Sequence, residues 1–238
     1  MRYLLITGTI LLILICCSDT HHPNSVENLS EIQLMKKRIV IKDCRELFRK
    51  DIFQPGDTGI FTFHDSEWQI EDGWLVGINR GNHPGMAILR QSFPGNVLVE
   101  FEAMTIPPST HDINVMWNGD WIDSIDQRGT AYVAGLEGWW NGKVGIERSP
   151  EYKLMLGTPL FDFAPGILYK IHAGSIDGHC FILADGKLLL EGMDPDPIDH
   201  QKFTKVGFEA YASQIKLRNV VIRQISWEPV TMKYEQEF

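Results

Sequence analysis

From Ile39 onward, apolar and polar positions alternate over short runs broken by Gly, Pro, Asn and Asp. Period-two alternation over five to eight residues predicts strands. Trp68–Val76 reads as a strand, an Asp72-Gly73 turn and a second strand, since Asp-Gly supplies the positive φ angles of a tight hairpin. Val97–Met104, Ile113–Trp117 and Tyr132–Trp139 are further strands. Tyr169–Gly174, Cys180–Ala184 and Lys187–Glu191 form a meander turning at Asp177-Gly178 and Asp185-Gly186. Val206–Tyr211 and Ile215–Ile225 close the pattern. No amphipathic helix exceeds two or three turns, and no repeat or linker divides the chain. Many short strands with turn signals at this spacing predict an all-β sandwich or barrel, a single domain over residues 39–230.

The first residues read as an address. One positive charge at Arg2, an apolar run over Tyr3–Ile15 and the sequence Cys16-Cys17-Ser18 make a secretory signal. Leu14-Ile15-Cys16-Cys17 has the form of a bacterial lipoprotein box, with Cys17 as the acylated residue. The expected organisation is a signal peptide over 1–16 and a polar lipidated tether over 17–38. The sandwich then lies in the periplasm or at the cell surface, held to a membrane by its lipid. An oxidising compartment permits a Cys44–Cys180 bridge, though two separately buried thiols are the expected state.

Composition changes the picture in one respect. The formal charge is −9, which argues against nucleic acid as a partner. No CxxC or HExxH spacing points to zinc.

The motif order carries a resemblance. "WQIEDGWLVG", "LVEFEAM", "GILYKIHAGSIDGHCFILADGKLLLE" and "KVGFEA…IKLRNVVIRQI" together resemble the concanavalin A-like jelly-roll superfamily over residues 43–227. Within it the chain is similar to 3-keto-disaccharide hydrolase-like domains. The stretch "YVAGLEGWWNGKVGIERSPEYKLML" makes it more similar to small periplasmic proteins found near rhamnogalacturonan- and ulvan-degrading enzymes. Some of those are oligosaccharide dehydratases, which remove water from a non-reducing-end uronic acid to leave a 4,5-unsaturated sugar. The resemblance implies a carbon–oxygen lyase acting on an anionic, ulvan-type oligosaccharide. A glycoside hydrolase and a non-catalytic carbohydrate-binding module are the alternatives. The ExDxxE signature of family 16 glycoside hydrolases is absent.

Candidate chemistry concentrates between residues 111 and 153. Trp117, Trp121, Trp139 and Trp140 put four of the seven tryptophans into 24 residues, and indole faces stack on sugar rings. Consecutive Trp139 and Trp140 must point to opposite faces of a strand. Asn114, Met116 and Asn118 share one face, opposite Trp117. Gly135, Glu137 and Trp139 share another. The expected substrate-binding set is Asn114, Trp117, Glu137, Trp139, Trp140 and Arg148, with Arg148 as a bidentate carboxylate clamp. Water elimination also needs a base and an acid. Tyr152, Lys143 and His111 are base candidates, and Glu147 or Glu137 is expected to act as the acid or to hold the base in position. Lys143, Gly145 and Glu147 share a face if that piece is extended. Asp112, Asp120, Asp123 and Asp126, and separately Asp194 and Asp196, offer oxygen ligands for a structural Ca²⁺.

Overall fold

The computed structural model describes residues 29–139 and 143–231. Two antiparallel sheets pack face to face. In spatial order, the seven-stranded sheet runs Lys153–Thr158, Lys143–Ser149, Ala131–Trp139, Ile113–Gly119, Lys205–Ala210, Gly85–Leu89, Phe61–His64. The eight-stranded sheet contains Lys187–Met193, His179–Ala184, Tyr169–Ile176, Val97–Thr105, Gln214–Gln224, Trp74–Ile78 and Glu67–Glu71, with Arg45–Lys50 also paired to Gln214–Gln224. A third, three-stranded sheet joins Glu31–Gln33, Lys37–Val40 and Trp227–Pro229.

The turns follow from their residues. Asp72-Gly73, Asp177-Gly178 and Asp185-Gly186 all take positive φ at both positions, the geometry that joins twisted strands through two residues. The main core forms where alternate residues of both sheets meet. Val115, Trp117, Ala134 and Phe208 enter it from one sheet, and Val99, Phe101, Ile171, Ile182 and Leu217 from the other. A smaller cluster of Met86, Ile88, Met116, Ala131 and Val133 lies on the opposite face of the seven-stranded sheet. That face is therefore covered in part, and the covering element builds the candidate site.

The strands anticipated from alternation are present, each within two residues at its ends. The chain departs from expectation at residues 31–38, read as tether. Ile32 and Leu34 alternate with polar neighbours and are buried beneath Leu183, Phe181 and Ile225 on the outer side of the eight-stranded sheet. A period-two signal was hidden there in a polar stretch. Residues 1–28, which include the expected signal and Cys17, lie outside the described residues. Cys44 and Cys180 are both free thiols. Cys180 faces the main core and Cys44 the outer cluster, so the sheet separates them.

His172, in the middle of the eight-stranded sheet, is buried with neither ring nitrogen hydrogen-bonded among the described residues. Burial first, and the charge of Lys170 second, push its pKa down to about 3. An imidazole depressed in the fold stabilises fully above its unfolded value. That contribution is lost as pH falls toward 3. Replacing His172 with Leu should flatten the acid limb of the stability curve, by at most about 1.4 kcal/mol per pH unit. Urea unfolding at pH 7 and pH 4 measures this. Parallel losses in both proteins would refute the assignment.

Candidate functional site

Three of four adjacent strands of the seven-stranded sheet bring acids and an amide to its outer face. Asn114 lies opposite Gly135 on one side and Glu209 on the other. Glu147 lies two residue pairs further along, opposite Val133. Gly135 makes room for the amide, because a Cβ there would sit 1.7 Å from Asn114 Oδ1. Asp112 precedes the Ile113 strand with a positive φ of 76°. Asn114 Nδ2 donates to Asp112 Oδ1 at 2.5 Å and to Glu209 Oε1 at 3.2 Å. The two carboxyl groups thus share one amide.

The cation comes from a hairpin laid across this face. Trp121–Ile122 pairs with Gln127–Arg128. Trp121 stacks on His64 with ring centroids 4.0 Å apart, and its Nε1 donates to Asp126 Oδ1 at 3.0 Å. His64 Nδ1 lies 3.2 Å from the same oxygen. Docked this way, the hairpin sends Arg128 under its own surface. Nη2 donates to Glu147 Oε1 at 2.5 Å, Nη1 to Glu209 Oε2, and Nε to Ser149 Oγ at 3.1 Å. Arg128, Glu147 and Glu209 are 3%, 5% and 3% exposed. A guanidinium this deep persists because each carboxylate is within bonding distance. The Tyr152 ring covers it at 4.9 Å.

Trp139 completes one wall, its Nε1 donating to Glu147 Oε2 at 2.9 Å. The indole crosses Gly145, where a Cβ would come 2.5 Å from Trp139 Cε3. Gly145→Ala should lift the indole off the sheet and break its bond to Glu147, costing about 1–3 kcal/mol. Unchanged tryptophan fluorescence and an unchanged urea midpoint would show that the indole does not rest there.

These side chains, with Pro84, Gly138 and Tyr211, line a cleft of about 290 Å³. Burial, reinforced by the Glu209 charge, holds the Asp112 carboxyl well above the usual carboxylate range. Burial also raises Glu209, against the opposing pull of Arg128. The Tyr152 phenol is raised by burial too, again against Arg128. The four oxygens of Glu147 and Glu209 each accept a bond from Arg128, Trp139 or Asn114. Asp112 Oδ2 is the one cleft carboxyl oxygen with no hydrogen-bond partner among the described residues.

Of the residues anticipated from sequence, Asn114, Trp139, Glu147 and Tyr152 meet in this cleft. Trp117 does not. It fills the core between the sheets, where its Nε1 donates to Ser175 Oγ at 3.0 Å. Arg148 is also elsewhere. As the neighbour of Glu147 it points to the other face, bound to Asp194 at 3.0 Å and to Asp196. Asp194 further accepts from Tyr132, so the Asp194–Asp196 pair serves as a structural anchor. Glu137 falls in a bulge between Gly135 and Trp139 with φ 58°. It does not line the cleft, and its carboxyl, raised by burial, feels the charge of His111. His111 approaches Thr110 and lines no part of the cleft. Lys143 starts the Glu147 strand beyond the lining. Trp140 lies outside the described residues. Among the described residues no three His, Cys, Asp or Glu side chains are grouped to hold a metal ion. The acids proposed for Ca²⁺ are divided between the cleft (Asp112) and the hairpin (Asp126).

Glu209 and Tyr211 lie beyond the anticipated residues, Asp112 enters as an acid rather than as a Ca²⁺ ligand, and Arg128 enters as a buried clamp. Glu209 carried a signal, an acid inside the otherwise apolar Val206–Ala210 run. A lone charge among buried neighbours implies a partner.

No protein-family model and no curated protein matches the sequence. Solved structures share the fold at low identity. A galectin-like-fold protein of Bacillus subtilis is 14% identical, covering 76% of this chain and 96% of its own, with a TM-score of 0.58. The carbohydrate-binding module CBM66 from Bacillus subtilis is 13% identical over 69% of this chain and 95% of its own, at 0.55. A provisionally assigned glycosyl hydrolase from Parabacteroides distasonis is 16% identical over 74% and 99%, at 0.54. The fold is thus an all-β, galectin-like jelly-roll sandwich.

Proposed function

We propose that the cleft is the active site of a carbohydrate-processing enzyme that breaks a sugar C–O bond by proton transfer through Asp112. The observation that carries this is Asp112 Oδ2, unpartnered among the described residues in a cleft also lined by Trp139, Tyr152 and Tyr211. Burial and the Glu209 charge push the Asp112 carboxyl toward its protonated form, and a protonated carboxyl is a proton donor for a leaving sugar oxygen. Trp139 and Tyr152 supply aromatic surface for the apolar face of the ring. Glu147 and Glu209, clamped by Arg128, fix the field around the acid and keep its proton in place. The similarity in fold to carbohydrate-binding and glycosyl-hydrolase structures supports the choice of ligand class.

Two outcomes of C–O cleavage share this proton. Hydrolysis breaks the glycosidic bond and adds water across it. Elimination takes the C5 proton of a uronic acid, expels the C4 oxygen as water and leaves a 4,5 double bond. The sequence resemblance favours elimination, and Tyr152, which lines the same cleft as Asp112, gives it a second proton-carrying group. Elimination also needs positive charge against the sugar carboxylate.

Incubation with a panel of neutral and acidic oligosaccharides, read by mass spectrometry and ultraviolet absorbance, tests the proposal. Hydrolysis gives two products. Elimination gives one, lighter by a water and absorbing in the ultraviolet. Affinity without any product across the panel would reduce the protein to a binding module and overturn the enzyme reading.

We also propose that the protein acts outside the cytoplasm, anchored through lipid on Cys17. Membrane fractionation of the wild type against Cys17→Ser checks this, and a soluble wild type would refute it.

A further inference from the structure

Hydrogen-bonding roles in the cleft are lopsided. Arg128 is the one cation among the described residues lining it, and its Nε, Nη1 and Nη2 are bound to Ser149, Glu209 and Glu147. The Trp139 N–H is held by Glu147. The Asn114 amide protons go to Asp112 and Glu209. The Tyr211 hydroxyl donates to the Asn82 carbonyl at 2.5 Å. Apart from the Asp112 carboxyl and the Tyr152 hydroxyl, the polar groups left over are acceptors. Asn114 Oδ1 is buried with no hydrogen-bond partner among the described residues, packed against Gly135 and Gly138 in the space their missing side chains leave. Glu147 and Glu209 retain lone pairs beyond the single bonds each oxygen receives.

Resting on the carbohydrate reading of this cleft, we infer that it selects a sugar unit without negative charge, one that brings hydroxyl or ammonium donors, and excludes a free uronate. A ligand carboxylate would find Arg128 already engaged by two carboxylates and would face Glu147 and Glu209 at close range. Like charges across a desolvated contact are strongly unfavourable. Hydroxyls instead donate to the glutamate oxygens. An ammonium adds charge attraction to the acids and to the faces of Trp139 and Tyr152. On this inference, an enzyme that eliminates water here would act on a uronic acid whose carboxyl is masked or protonated.

The test uses the whole protein and four matched oligosaccharides. They end in a uronic acid, its methyl ester, the neutral hexose and the 2-amino-2-deoxyhexose. Binding is followed by calorimetry at pH 7 and low salt. The ester and the neutral sugar should bind at least about tenfold more tightly than the acid. The amino sugar should match or exceed the neutral one, and salt should narrow the gap between acid and ester. Equal or tighter binding of the acid, or an amino sugar weaker than the neutral one, overturns the charge inference and leaves the carbohydrate reading intact. No binding by any of the four overturns the carbohydrate reading, and this inference with it.

Discussion

Replacing Arg128 with Met should cost the protein about 3–5 kcal/mol of stability at pH 7, the largest effect expected of any single substitution here. The reason lies in what stays behind. Glu147 and Glu209 are almost wholly buried and take their charge balance from this one guanidinium. Methionine fills much of the volume and returns no charge or hydrogen bond, so two carboxyl groups remain desolvated and unpaired. Removing their charge as well should repair most of the loss. The triple variant Arg128→Met, Glu147→Gln, Glu209→Gln is therefore expected to be more stable than Arg128→Met alone. Acidification of the single variant should narrow its deficit, since protonated acids no longer need the cation. Urea unfolding at pH 7 and pH 4.5 reads all three. A single variant within about 1 kcal/mol of wild type would mean that the buried triad is not formed.

The elements legible in the sequence are those whose signal is local. Asp-Gly turns announce their own geometry, and strands such as Val97–Thr105, where Val99, Phe101 and Ala103 alternate with Glu100 and Glu102, show their alternation. Gly85–Leu89 is buried at all five positions, so its residues carry no period to read. The site divides along the same line. Asn114, Trp139, Glu147 and Tyr152 fall within 40 residues and could be picked out as a concentration of chemistry. The same alternation turns Asn114 outward and Trp117 inward, so both cannot contact one ligand, and only sheet packing decides which does. Glu209 is 95 residues from Asn114. It joins the site only because the Lys205–Ala210 strand inserts beside Ile113–Gly119, an order no local pattern encodes. Arg128 is placed by a two-residue pairing and one stacked indole, and its position in the chain gives no hint of its depth.

Asp112→Asn should separate function from stability in opposite directions. The amide keeps the shape and can still accept from Asn114, so the cleft survives, but the proton is gone. Turnover should fall by about 10²–10⁴ while sugar affinity changes little. Stability should move the other way. The Asp112 carboxyl is raised in the fold, chiefly by burial and then by Glu209. A raised acid stabilises fully below its unfolded value, and that contribution disappears as pH climbs through its folded value. The wild type should therefore lose stability on going from acid to alkaline pH, and the Asn variant should lose less. The variant should be the more stable protein at pH 8 and show no such advantage at pH 4. Denaturation at the two pH values, run beside the product assay, checks both halves. A variant that is less stable at pH 8 would mean that Asp112 is ionised and paired in the fold, and the proposed proton donor would have no proton to give.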